Sequence, residues 1–191
     1  MDDAGLIARA RRGDAVAFSQ LFSAFERPIF RYAAHMCGRD AADDIVQETF
    51  LALLRGPGHY DAGKGTVANY LFGIARHFVL RRLSGKEVAT FALDEDLERS
   101  TQAEDDRPSI LDSLSRTETI HAVRTAIASL PAPYREAIVL CELQEMSYTE
   151  AAVVAQCPVG TVRSRLHRAK ALLTTKLAAT EHSPVGLRKS I

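Results

Sequence analysis

The stretch SYTEAAVVAQCPVGTVRSRLHRAKALL, residues 147–173, decides how the rest of the chain is read. Ser147 followed three residues later by Glu150 is the pattern in which each side chain satisfies the other's backbone amide at a helix start. The apolar run behind it predicts a short helix over 148–155. A turn at Gln156 and Cys157 follows, then Pro158 in a position suited to starting a helix, then a basic helix to about Leu177. Short helix, tight turn and basic helix form the helix-turn-helix arrangement, whose second helix enters the major groove with its first residues against base edges. Val162, Leu166, Ala169 and Leu173 hold the inner side of that helix, leaving Arg163, Ser164, His167 and Arg168 to face DNA. Arginine offers a planar fork to guanine, while the Thr161 hydroxyl and the helix-start amides suit a phosphate oxygen.

Working outward, a helix over about 118–129 carries Ile120, Val123, Ile127 and Leu130 on one side. Pro131 and Pro133 end it and open the next, with Tyr134, Ile138, Val139 and Leu143 inside. The first half of the chain has its own helical block. From Asp14 on, Phe18, Leu21, Phe22, Phe25, Ile29 and Ala33 recur at three- and four-residue intervals, a single apolar stripe in which Pro28 predicts a kink or a break. A second helix is expected to start at Asp40 as its cap, with Asp43 and Asp44 in the first turn and Ile45, Thr49 and Leu53 buried. Gly56, Pro57, Gly58, Gly63 and Gly65 make a loop, and Thr66 caps a third helix to about Leu83. Strand signals are absent.

The 191 residues carry 24 basic and 24 acidic side chains, and the neutral total hides a segregation. Residues 1–83 hold 11 basic and 9 acidic groups, 84–117 hold 4 and 9, and 118–178 hold 7 and 5. Arg76, Arg81 and Arg82 follow one another without an acid, as do Arg163, Arg165, Arg168, Lys170 and Lys176, so two local basic surfaces are expected on a protein of pI about 7.0. The acidic middle has no sustained period and reads as a linker, too long for a loop inside one compact domain. The expected fold is therefore all-α: two small helical domains at 10–84 and 118–178, joined by a flexible acidic linker at 85–117, with a disordered tail at 179–191. No apolar run is long enough to span a bilayer and the start is too charged for a signal peptide, so a cytoplasmic protein without membrane insertion is expected. Three widely spaced cysteines, Cys37, Cys141 and Cys157, predict reduced thiols and no zinc site.

At PVGTVRSRLHRAKALL, residues 158–173, the chain resembles the C-terminal DNA-binding domain of bacterial RNA polymerase sigma factors of the extracytoplasmic-function group. LPAPYREAIVLCELQEMSYTEAA, 130–152, resembles the first part of the same domain. GDAVAFSQLFSAFERPIFRYA at 13–33, AADDIVQETFLALL at 41–54 and NYLFGIARHFVLRRL at 69–83 resemble the family's other domain, in order and at the expected spacing. The resemblance implies a promoter-specificity subunit with no catalytic residues and no cofactor or metal. It would bind core RNA polymerase through the beta-prime clamp helices and the beta flap, and direct it to promoter DNA. An inhibitory anti-sigma factor is a common partner in the family. Carried over by position, Asp43, Asp44, Gln47 and Glu48 correspond to the contact with the clamp helices. His59, Tyr60, Asp61 and Lys64 lie in the loop that receives a flipped minus-10 base, with Arg76, His77, Arg81 and Arg82 following the opened and upstream DNA. Pro158, Gly160, Thr161, Arg163, Ser164, Arg165, His167 and Arg168 correspond to the minus-35 interface.

The chain departs from the family pattern where tryptophan commonly stands at Tyr70, asparagine at His77, aspartate near Arg81 and glycine at Gln156. Position 77 reads a minus-10 base in relatives, so its preference is not transferred. Gln156 costs up to about 1 kcal/mol if its turn needs a positive backbone angle. Two rival readings remain at this point: a stand-alone helix-turn-helix regulator, which leaves residues 43–50 and the basic third helix unused, and a helical adaptor or decoy. His35 and Cys37 lack further ligands and read as buried residues, and AGKGT at 62–66 lacks the rest of a phosphate-loop pattern.

Overall fold

The computed structural model describes residues 3–56, 60–85 and 110–181. His59, most of the acidic linker and the tail from residue 182 on lie outside the described residues. The described chain contains no strand and runs α1 (Asp3–Arg11), α2 (Ala15–Cys37), α3 (Arg39–Arg55), a 3-10 turn (Ala62–Lys64), α4 (Val67–Ser84), α5 (Ile110–Ala128), α6 (Ala132–Ile138), α7 (Tyr148–Ala155) and α8 (Val159–Glu181). The all-helical, two-block expectation is what the structure has.

In the first block, Asp14 starts α2 by accepting the amides of Val16 and Ala17 at 3.0 and 3.1 Å. The Ala17 bond, followed by the hydrogen bond from Arg9, holds its carboxyl below the usual carboxylate range. The helix buries Leu21, Ile29, Tyr32, Ala33 and Met36 and keeps Phe18, Phe22 and Phe25 half-buried. Pro28 neither ends nor interrupts it: α2 is a single helix of 23 residues. The proline removes the amide that would bond to the carbonyl of Ala24, an exposed residue, while both halves of the helix stay fixed by the core. α3 starts two residues earlier than expected. Gly38, at φ +87°, reverses the chain and serves as its N-cap, which leaves Asp40 in the first turn rather than at the cap. Ile45, Thr49 and Leu53 are buried as anticipated, and Thr66 caps α4 through the amide of Asn69. α1 had no place in the sequence reading; it lays Ile7 and Ala10 on this core.

In the second block, α6 continues into a wider π-helical turn over Val139–Leu143, closed by the Gln144 amide on the Val139 carbonyl at 3.0 Å. α5 begins at Ile110, eight residues before the expected start. The acid count of the linker hid this, because Asp112 is the only acid between Asp106 and Glu118, and Pro108-Ser109 ahead of it is a helix-start signal. The buried residues of the two blocks form one contiguous cluster, with α4 against α7 and α2 against α5 and α6.

Candidate nucleic-acid interface

The helix-turn-helix is built as its sequence demands. Ser147 and Glu150 form the reciprocal cap, with the Ser147 amide donating to Glu150 at 2.9 Å and the Glu150 amide donating to the Ser147 hydroxyl at 3.2 Å. The Ser147 hydroxyl, which donates to the Glu150 carboxylate at 2.7 Å, and after it the Ser147 amide keep that carboxyl below its ordinary range. Gln156 adopts φ +51°, ψ +45°, the left-handed conformation, and so occupies the position where glycine is least strained. Gln156→Gly is expected to raise stability by about 0.5–1 kcal/mol, read from the urea midpoint at unchanged slope; an unchanged or lower midpoint would count against strain at this turn. The Pro158 carbonyl then accepts the amides of Thr161 and Val162, starting α8.

Along α8, Val162, Leu166 and Ala169 are buried and Leu173 half-buried. Arg163, Ser164, His167 and Arg168 are exposed on the opposite side, with Pro158 and Gly160 exposed at its start and Thr161 half-buried. A Cβ at Gly160 would meet nothing within 4 Å, so nothing inside the protein demands glycine there. Arg165 is placed differently: it is half-buried and its guanidinium donates to the Cys157 sulfur at 3.8 Å. The Ser164 hydroxyl donates to the Thr161 carbonyl, and the Arg163 guanidinium lies 5.5 Å from the centre of the Tyr148 ring.

In the first block, Asp43, Asp44 and Gln47 are exposed on one edge of α3 and Glu48 is half-buried. The sequence assigned this edge and the arginines of α4 to separate tasks, yet the structure joins them. Arg81 pairs with Glu48 at 2.6 Å, and Arg82 reaches Asp44 at 3.2 Å and Glu48 at 3.7 Å. His77 is exposed. In the loop before α4, the Tyr60 hydroxyl donates to the Gly65 carbonyl, Asp61 accepts the Gly63 amide, and Lys64 lies 3.8 Å from Asp61. Gly65 sits at φ +147°, and a Cβ there would come within 3.1 Å of the Asn69 side-chain nitrogen, so both the backbone conformation and the close approach favour glycine where the loop closes on α4. The half-buried Tyr70 ring packs 5.7 Å from that of Tyr60, and its hydroxyl accepts from Arg11 at 3.0 Å.

Arg76 is not on the exposed face with its neighbours. It donates to Glu136 of α6 at 2.7 Å, the two side chains being only 15% and 6% exposed, and the Tyr32 hydroxyl donates to the same carboxylate at 3.1 Å. Burial, and then the Glu136 charge, raise the Tyr32 hydroxyl well above its ordinary pKa, so it remains a donor. Arg135, also buried, donates to the Met36 carbonyl at 3.0 Å. Sequence reasoning missed Arg135 and Glu136. Their signal was two adjacent charges followed at once by the inward run Ala137–Leu140, where a helix with one solvated face has no room for them. His35, on the same side of α2, is pushed down to about 4 by burial and by Arg124, Arg31 and Arg135, and is neutral at ordinary pH. No group of three or more potential metal ligands exists among the described residues, and no helix among them is long and apolar enough to cross a membrane.

Two family descriptions match the chain: "Sigma-70 region 2" over residues 21–87 and "Sigma-70, region 4" over 120–173. The chain is 32% identical over 172 residues to the ECF RNA polymerase sigma factor SigC of Mycobacterium tuberculosis, covering 86% of this chain and 85% of that protein. Among solved structures it is similar to CnrH in complex with the cytosolic domain of CnrY, with a TM-score of 0.64, 27% identity, and 93% and 97% of the two chains covered. It is also similar to the sigma factor RpoE of Bartonella quintana in complex with the anti-sigma factor NepR, with a TM-score of 0.61, 25% identity, and 84% and 96% covered.

Proposed function

The chain belongs to the sigma-70 family, in its extracytoplasmic-function group of RNA polymerase sigma factors, and from that premise we propose how its surfaces divide the work of promoter recognition. As a sigma factor it binds core RNA polymerase and directs it to promoters. Its working division is 10–84 for polymerase and the minus-10 region and 118–178 for the minus-35 duplex and the beta flap, with 85–117 linking them. The exposed edge of Asp43, Asp44 and Gln47 with Glu48 meets the beta-prime clamp helices, where an acidic, amide-bearing surface suits a basic partner. Tyr60, Asp61 and Lys64 frame the pocket for an extruded minus-10 base, and His77, Arg81 and Arg82 follow the opened strand; extrusion costs a few kcal/mol, offset by pocket contacts and positive charge.

The observation that carries the reading is the exposed row Arg163, Ser164, His167 and Arg168 on the second helix of a helix-turn-helix, in a chain that also holds region 2. Region 2 is what the stand-alone regulator leaves without use. The protein has no chemistry of its own and works in the cytoplasm. An anti-sigma factor is a fitting partner, since the similar RpoE chain is bound by NepR. In vitro transcription from a pooled promoter library, with purified core polymerase and with or without the protein, is expected to yield protein-dependent starts that share one two-part motif. Duplex binding without any protein-dependent start would favour the free regulator.

A further inference from the structure

We propose that Tyr148 is a positioning residue for promoter reading: its ring holds the Arg163 guanidinium in the posture from which that arginine meets a base pair of the minus-35 element. The inference rests on the reading of α8 as the DNA-facing helix. Tyr148 is the first residue of α7, directly after Ser147, and the two bonds between Ser147 and Glu150 fix its backbone. The rest of α7 packs inward through Ala151, Ala152, Val154 and Ala155. The Tyr148 ring stays outside, 41% exposed, so the core does not account for an aromatic residue there.

Arg163 lies over the ring, its guanidinium carbon 5.5 Å from the ring centre. A guanidinium is attracted to an aromatic ring through its flat face, whereas it hydrogen-bonds a guanine through its edge. A guanidinium held over the Tyr148 ring by its face keeps its fork of donors free while the ring limits the rotamers of a long, exposed side chain. Less freedom is then lost when the fork engages a base, and an arginine that points elsewhere discriminates less sharply. Arg168, one turn and more along the same face, has no ring contact of this kind among the described residues. It serves as the control within the same helix.

The test uses the full chain bound to core polymerase and a promoter set in which the minus-35 element is randomised one base pair at a time. Wild type, Tyr148→Leu, Tyr148→Phe, Arg163→Ala, Arg168→Ala and the double variant Tyr148→Leu with Arg163→Ala are compared, and Arg163→Ala and Arg168→Ala identify the base pair each arginine reads. Tyr148→Leu is expected to cut discrimination at the Arg163 base pair about 2- to 5-fold, to leave the Arg168 base pair unchanged, and to add nothing in the Arg163→Ala background. Tyr148→Phe, which keeps the ring, should behave as wild type. An equal effect of Tyr148→Leu in both backgrounds, an equal flattening at both base pairs, or a Phe variant as impaired as the Leu variant would overturn the proposal. If Arg163→Ala itself leaves base selection untouched, the assignment of α8 falls and the proposal with it, an outcome separate from one in which Arg163 matters and Tyr148 does not.

Discussion

Arg163→Ala combined with Arg168→Ala is expected to abolish promoter-directed initiation while leaving assembly with core polymerase intact. Both side chains are exposed on α8 beyond the buried row Val162, Leu166 and Ala169, so their removal opens no cavity and breaks no ion pair among the described residues. Each bidentate contact to a base is worth about 1–3 kcal/mol of discrimination, which corresponds to roughly 5- to 150-fold for one arginine and the product of two such factors for both. Run-off transcription from the preferred promoter should fall to background, with the variant still co-migrating with core polymerase in gel filtration. Retained initiation at the same start sites would remove α8 from promoter selection and restore the adaptor reading.

Glu136→Leu is expected to separate the two helical blocks. The carboxylate is the shared acceptor for Arg76 and the Tyr32 hydroxyl, and it is buried. Removing one member of a buried pair leaves the other charge unmatched, at a cost of about 3–5 kcal/mol. Each block has helices packed on its own apolar residues, so the less costly response is to open the seam and let water reach Arg76, not to unfold. Small-angle X-ray scattering should show an increased radius of gyration with helical circular dichroism retained. Arg76→Met and Tyr32→Phe joined to Glu136→Leu should restore compactness, because apolar side chains of similar size fill the site with neither a charge to hydrate nor a buried hydroxyl left unpaired. A scattering profile unchanged in the single variant would mean that the pair does not hold the blocks together.

Much of this architecture is legible in the sequence because local signals and burial agree. The Ser147–Glu150 box, the Thr66 cap, and the apolar spacing of α2, α3 and α8 each depend on residues within one or two turns, and each element lies where those residues put it. Reading failed where a distant partner decides. Pro28 would break an isolated helix, yet packing on both sides carries α2 through it. Asp40 resembles a cap until Gly38 turns the chain two residues earlier. The basic row of α4 looks uniform in sequence, but Arg76 faces Glu136, sixty residues away, while Arg81 and Arg82 turn to α3. Long-range pairing of charges has no period, and only the fold shows which arginine is spent inside the protein.

If the first block divides its surfaces as proposed, the ion pairs of Arg81 and Arg82 with Glu48 and Asp44 make its two ligands thermodynamically interdependent. A basic partner that takes up the carboxylates releases the guanidinium groups for phosphate, and a strand that takes up the guanidinium groups frees the carboxylates. Half-exposed pairs of this kind hold back on the order of 1 kcal/mol each, so neither ligand is shut out. Each raises the affinity of the other by the same factor, as reciprocity requires. On that division, contacts that lend little to the stability of the free protein become a source of cooperative assembly on the promoter.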